Sequence, residues 1–297
     1  MTGARHDYAV AVDPDATNNP HSAAIRLVGT GNRVLEVGCS AGHVTQHLVA
    51  RGNTVVGVEL DAEAARQAEA FAERVHVADV DRRPLSELER GPFDVIVLGD
   101  VLEHLRDPVV ALADAATLLA PAGRFVISVP NVAHIDVRMM LLQGRWTYRD
   151  DGLLDRTHLR WFTRESLREL LAGAGFVATA VERVRTPFGS SNLIFDRAAV
   201  PQALIDYAAT DPEANTLQYV VEARREGTDV LVSEVITEWP VVGTEPSAGS
   251  RIAELEHERD ALQAEVTAWR NSKLARGAAP LRKVYGLVRR VVGRGVR

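Results

Sequence analysis

The ten residues GDVLEHLRDP, 99 to 108, follow the apolar run Phe93 to Leu98 and concentrate chemistry at its end. Asp100, Glu103 and His104 stand at spacings of zero, three and four, which one helical turn would bring to a common face. Two acids and an imidazole grouped there could form a helix cap, a substrate clamp or a site for a cation with mixed oxygen and nitrogen donors. The residue types alone leave all three roles open.

A second group precedes it. RVLEVG runs into CSAGHVTQHL and gives Glu36-x-Gly38-x-x-x-Gly42. Glycine at 38 permits a sharp turn, and glycine at 42 permits close approach of a ligand to the following helix. A dinucleotide fingerprint would need glycine where Ser40 stands, and no Lys-Ser/Thr pair follows to cradle phosphates. Glu36 would repel a phosphate but could pair with an ammonium group. Twenty-one residues beyond Gly38, VVGVEL ends in Glu59, placed to accept both hydroxyls of a ribose. HVADV then sets Asp79 where it could meet an adenine amino group. Amino acid, ribose and adenine together describe S-adenosylmethionine.

These residues need strands to present them. Apolar runs at Arg33 to Val37, Thr54 to Glu59, Val75 to Val77, Phe93 to Leu98, Gly123 to Val129, Phe176 to Val184 and Leu217 to Ala223 read as strands. Periodic segments alternate with them: His21 to Val28, His43 to Arg51, Ala62 to Ala72, Pro108 to Leu119, Arg164 to Gly173 and Pro201 to Ala208. The alternation predicts an α/β fold with a mostly parallel sheet covered on both faces. We expect a lead-in with a helix at 1–30, a domain at 31–240, a linker at 241–250 and a helical basic tail at 251–297. Ile252, Leu255, Leu262, Val266 and Trp269 suit a short coiled coil or a docked helix, and so a homo-oligomer through 251–270.

The ordered set VLEVGCSAG, GVEL, ADV and FDVIVLGDVLEHLRDP resembles the class I S-adenosylmethionine-dependent methyltransferases over roughly residues 30 to 225. The resemblance implies a Rossmann-like seven-stranded sheet of order 3-2-1-4-5-7-6 with its last strand reversed. It places Glu36, Gly38, Ser40 and Gly42 along the methionine end, Glu59 on the ribose, Asp79 with Val80 at the adenine and Gly99 behind the sulfonium. DRTHLRWFTRESL, 155 to 167, is similar in form to a stretch of the RNA 3′-terminal 2′-O-methyltransferases, and the E-H pair also resembles that of ubiquinone-biosynthesis O-methyltransferases. In the RNA enzymes two acids and two histidines hold a divalent metal. The matching positions here are Asp100, Glu103, His104 and His158, which implies Mg²⁺ or Mn²⁺, with Glu103, His104 and His158 carrying the chemistry.

The segment 132–163 is expected to cover the acceptor as a lid, with Met139 to Leu142 as a packed helix. Trp146, Tyr148, Trp161, Arg145, Arg149, Arg156 and Arg160 could stack on and hydrogen-bond a sugar. The expected reaction is O-methylation of a sugar, glycan or sugar-containing metabolite. The alternatives are a metal-free O-methyltransferase of a phenolic or polyketide-like metabolite with His104 as general base, and a non-catalytic scaffold. Net charge is −6, yet residues 271–297 carry eight basic residues and no acid, leaving −14 on the rest. So acidic a body argues against general nucleic-acid binding, while the tail suits contact with a membrane surface or a partner protein. One cysteine and a charged, broken N-terminal stretch suit a cytoplasmic protein.

Overall fold

The computed structural model describes residues 12–227. The linker, the coiled-coil segment and the basic tail lie outside them. In chain order the elements are α1 (Pro20–Val28), β1 (Arg33–Val37), α2 (Thr45–Ala50), β2 (Thr54–Glu59), α3 (Ala62–Ala68), β3 (Arg74–Val77), α4 (Leu85–Leu88), β4 (Phe93–Gly99), α5 (Pro108–Ala116), β5 (Leu119–Pro130), α6 (Ile135–Leu142), α7 (Arg164–Gly173), β6 (Phe176–Arg185), α8 (Gln202–Ala208) and β7 (Thr216–Arg225). The strands form one seven-stranded sheet ordered β3-β2-β1-β4-β5-β7-β6. Its first five strands are parallel, and β7 runs antiparallel between β5 and β6. This is the expected order, with the expected reversed strand.

Alternation along the strands divides the core. Leu35, Val37, Val56, Val58, Ile96, Leu98, Phe125 and Ile127 face α5 and α7, which contribute Leu112, Leu167 and Leu171. Val34, Val55, Val95, Val97 and Val126 face α1 and α2, which contribute Ile25, Val28 and Leu48. Covering both faces explains why β4 reads as an almost unbroken apolar run. Asp107 caps α5, accepting from the Val110 N–H at 3.1 Å, with Pro108 in the first turn. The capping role near the opening stretch therefore belongs to Asp107.

Several boundaries differ from expectation. Helix α5 stops at Ala116 because Phe93 N donates to Leu118 O at 2.9 Å and pairs with Leu119, drawing those residues into β5. Helix α3 ends at Ala68, four residues early, and the short α4 had no sequence signature. In α6 Met139 and Met140 are buried but Leu141 and Leu142 are exposed, so only half of the expected lid helix packs.

A third apolar cluster lies within and beneath residues 132–163, the expected lid. It joins Ile135, Met139, Met140, Leu153 and Leu154 to Leu193, Phe195 and Ala208, so the covering layer draws on the β6–β7 connection as well as on 132–163. Asp136 latches the two together. Its fully buried carboxylate accepts from Gly189 N at 2.6 Å, Ser191 N at 3.2 Å and the Ser191 hydroxyl. Replacing Asp136 by Ala should lower the unfolding free energy in urea by roughly 2–4 kcal/mol, because buried donors lose their acceptor. It should also open residues 187–192 to limited proteolysis; wild-type stability and resistance would show the latch to be dispensable.

Candidate functional site

Glycine at 38 is required on two counts. Its φ is +74°, and a Cβ there would lie 2.8 Å from Val101 Cγ2, so the turn after β1 packs directly on the chain leaving β4. At Gly42, φ +82°, a Cβ would meet Phe71 Cδ2 at 2.8 Å and Ala68 Cα at 3.1 Å. Contact with the end of α3 therefore demands that glycine whether or not a ligand approaches it. Ser40 and Asp100, with φ +47° and +54°, are the two non-glycine residues of positive φ among the described residues. They lie just past the ends of the adjacent strands β1 and β4, where stored strain commonly marks function.

The acids expected to hold a cofactor lie at neighbouring strand ends. Glu36 is buried and accepts from Thr45 Oγ1 at 2.7 Å. Burial pushes its carboxyl up to about 7; the Thr45 hydrogen bond opposes this and the charge of Glu59 adds to it. Glu59 is held by three backbone donors: Ser40 N at 2.8 Å, Leu60 N at 2.7 Å and Asp61 N at 2.9 Å. That grip fixes its orientation while leaving lone pairs for hydroxyl donors. Asp79 accepts from Asp81 N at 3.0 Å and pairs with Arg82 at 3.1 Å, and Val80 packs against the sheet core beside it. Because β3, β2, β1 and β4 are neighbours, Asp79, Glu59, Glu36 with the glycine turn, and Gly99 form one row along the sheet's carboxyl edge.

Beyond Gly99 the chain makes a single 3-10 turn, Leu102–His104, so the expected common helical face for Asp100, Glu103 and His104 does not form. What forms is a convergence from two segments. The Glu103 carbonyl accepts the N–H groups of Leu159 at 2.8 Å and Arg160 at 3.0 Å, tying 155–160 across the end of β4. One side-chain donor atom each from Glu103, His104 and His158 then lies within 4.8 Å of the others. Asp100 is not one of this trio but adjoins it: its Oδ1 accepts from Ser128 Oγ at 3.1 Å and from Gln218 Nε2, and its carboxyl is hydrogen-bonded to that of Glu103. Three of the four residues expected to bind a metal are thus brought together, and the fourth is engaged by β5 and β7.

The electrostatics suit a cation. Glu103 is fully buried with Oε2 unpartnered. Burial, reinforced by the adjacent Asp100 charge, drives its carboxyl well above the usual range. His158 Nδ1 is also buried without a partner. Burial and neighbouring His104 push the His158 imidazole down to about 4, against the pull of Asp155, so its lone pair is free at neutral pH. Unpartnered acceptors on a buried acid and a neutral imidazole fit a divalent metal, with His104 completing a donor set that leaves positions open. His104 Nδ1 meets Thr157 Oγ1 at 3.1 Å, and Thr157 reaches Asp155 at 2.6 Å. Neither Thr157 nor Asp155 was singled out from sequence, although Asp-x-Thr is an Asx-turn signature. Beyond His158 stand Trp161, at 5.4 Å between ring centroids, then Trp146 and Tyr148, forming an aromatic wall.

The profile of a methyltransferase domain family matches residues 16–181, more than half of the chain. The ubiquinone biosynthesis O-methyltransferase of Psychrobacter arcticus is 30% identical over 165 residues, covering 52% of this chain and 63% of its own. Its counterpart from Psychrobacter cryohalolentis is 34% identical over 155 residues, covering 49% and 59%. The chain thus spans less than two thirds of the length of either. A S-adenosylmethionine-dependent methyltransferase structure from Archaeoglobus fulgidus shares the fold, with TM-score 0.50 and 18% identity over 70% of this chain and 95% of that one. With the sheet order, the glycine turn and the row of acids, the family match places this chain among the class I S-adenosylmethionine-dependent methyltransferases.

Proposed function

We propose that the chain transfers the methyl group of S-adenosylmethionine to a hydroxyl of a sugar, glycan or sugar-containing metabolite, assisted by Mg²⁺ or Mn²⁺. The observation that carries this reading is the convergence of Glu103, His104 and His158 beside the cofactor row, with acceptor atoms of Glu103 and His158 buried and unpartnered. Glu36 meets the cofactor ammonium, Glu59 the ribose and Asp79 with Val80 the adenine, so the sulfonium points past Gly99 toward the trio. A divalent cation there would lower the pKa of a coordinated hydroxyl, which is otherwise a poor nucleophile. Trp161, Trp146 and Tyr148 offer faces for the acceptor and exclude water, while the lid fixes the alignment that methyl displacement requires.

The names of the curated relatives favour a second reading, an acceptor hydroxyl on a ring of the kind handled in ubiquinone biosynthesis, with His104 as a lone base. Chelation separates the two. On the first reading, chelator stops turnover and added Mn²⁺ restores it. Glu103→Gln and His158→Ala should each lose about 100-fold or more in kcat while retaining cofactor affinity. Full activity in chelator, lost only on His104→Ala, would establish the lone base.

The raised Glu36 carboxyl predicts proton release when an ammonium binds beside it. Affinity for S-adenosylmethionine should therefore rise with pH, by up to about tenfold per unit below a pH of about 7, and level off above it. Calorimetry across that range checks the slope, and Glu36→Gln should flatten it.

A further inference from the structure

The hydrogen bonds around Thr157 carry more information than their lengths. Thr157 has one hydroxyl proton and two neighbours that could take it, Asp155 Oδ1 at 2.6 Å and His104 Nδ1 at 3.1 Å. Asp155 Oδ1 also accepts the backbone N–H of Thr157 at 2.7 Å. Although Asp155 is buried, these bonds and the nearby His158 and His104 hold its carboxyl below the usual range, so it is an anionic acceptor. An anionic oxygen 2.6 Å from a hydroxyl that donated elsewhere would set two acceptors against each other. The Thr157 proton therefore lies toward Asp155, and the Thr157 oxygen is free only to accept. The nitrogen facing it must be a donor.

We infer that Asp155 and Thr157 form a relay that keeps the His104 proton on Nδ1 and presents the Nε2 lone pair to the site. Both are positioning residues, and the inference deepens the proposed function, in which His104 supplies a lone pair either to a cation or to an acceptor proton. The relay is braced on both sides. His158 N donates to Asp155 O at 3.1 Å, and the backbone of Leu154 and Arg156 on either side of Asp155 hydrogen-bonds Arg149, in the segment carrying Trp146 and Tyr148. Tautomer, second imidazole and aromatic wall are thus held by one short turn, much as a carboxylate or carbonyl behind a ligating histidine fixes its ring elsewhere.

The test reads the tautomer directly. In nitrogen-15 histidine-labelled full-length protein with no ligand added, at mildly alkaline pH, His104 should give the pattern of protonated Nδ1 and bare Nε2. Thr157→Val should move that signal toward the Nε2–H form and reduce kcat by about 10–100-fold at unchanged cofactor affinity. Thr157→Ser should restore both. A wild-type spectrum with the proton on Nε2, or a Thr157→Val spectrum identical to wild type, would overturn the relay. Because the spectrum needs neither metal nor acceptor, that failure is separable from failure of the methyl-transfer reading, which would appear as absent turnover with the tautomer as inferred.

Discussion

The Glu103 carboxylate is the constraint on which the rest of the site turns. It lies 1% exposed at the mouth of the sheet, with one oxygen unpartnered and Asp100 beside it. A lone carboxylate in such a place costs several kcal/mol unless a proton or a cation neutralises it. Two imidazoles from separate segments stand within reach, and one of them is held neutral by burial. The surrounding backbone serves this arrangement. Asp100 takes positive φ as the chain leaves β4, and the Glu103 carbonyl anchors the segment bearing His158.

The sheet order explains why the two groups of residues meet. Loops after β3, β2, β1 and β4 line one edge, so Asp79, Glu59, Glu36 and the β4 exit lie along it together. Gly38 lets the β1 turn pack directly against Val101 on the chain leaving β4. The reversed strand β7 contributes as well, since it delivers Gln218 to the Asp100 carboxylate, which also meets the Glu103 carboxyl. The 132–163 segment has its own apolar core and is latched to the β6–β7 connection by Asp136.

Much of this was legible in the sequence because it depends on local pattern. Strand β1, strand β2 and helix α7 take the expected bounds, since short, largely apolar runs and the Thr163 cap are properties of contiguous residues. Glu36, Glu59 and Asp79 fall at strand ends for the same reason. What failed was non-local. The β5 start at Leu119 depends on pairing with Phe93, twenty-six residues earlier. That Ser128 and Gln218 hold Asp100 was not legible, because both partners are remote in sequence. The packing of Gly42 against the end of α3 likewise could not be read from the loop itself. Spacing predicted a helical face for the opening stretch, and a long-range tie to 155–160 built a different convergence.

The most direct measurement is electron paramagnetic resonance of the Mn²⁺-loaded protein with nitrogen-15 histidine. Two distinct imidazole couplings in the wild type, one lost on replacing His158 and the other on replacing His104, are what convergence of these side chains on a cation requires. A fully hydrated Mn²⁺ signal with no nitrogen coupling would contradict it.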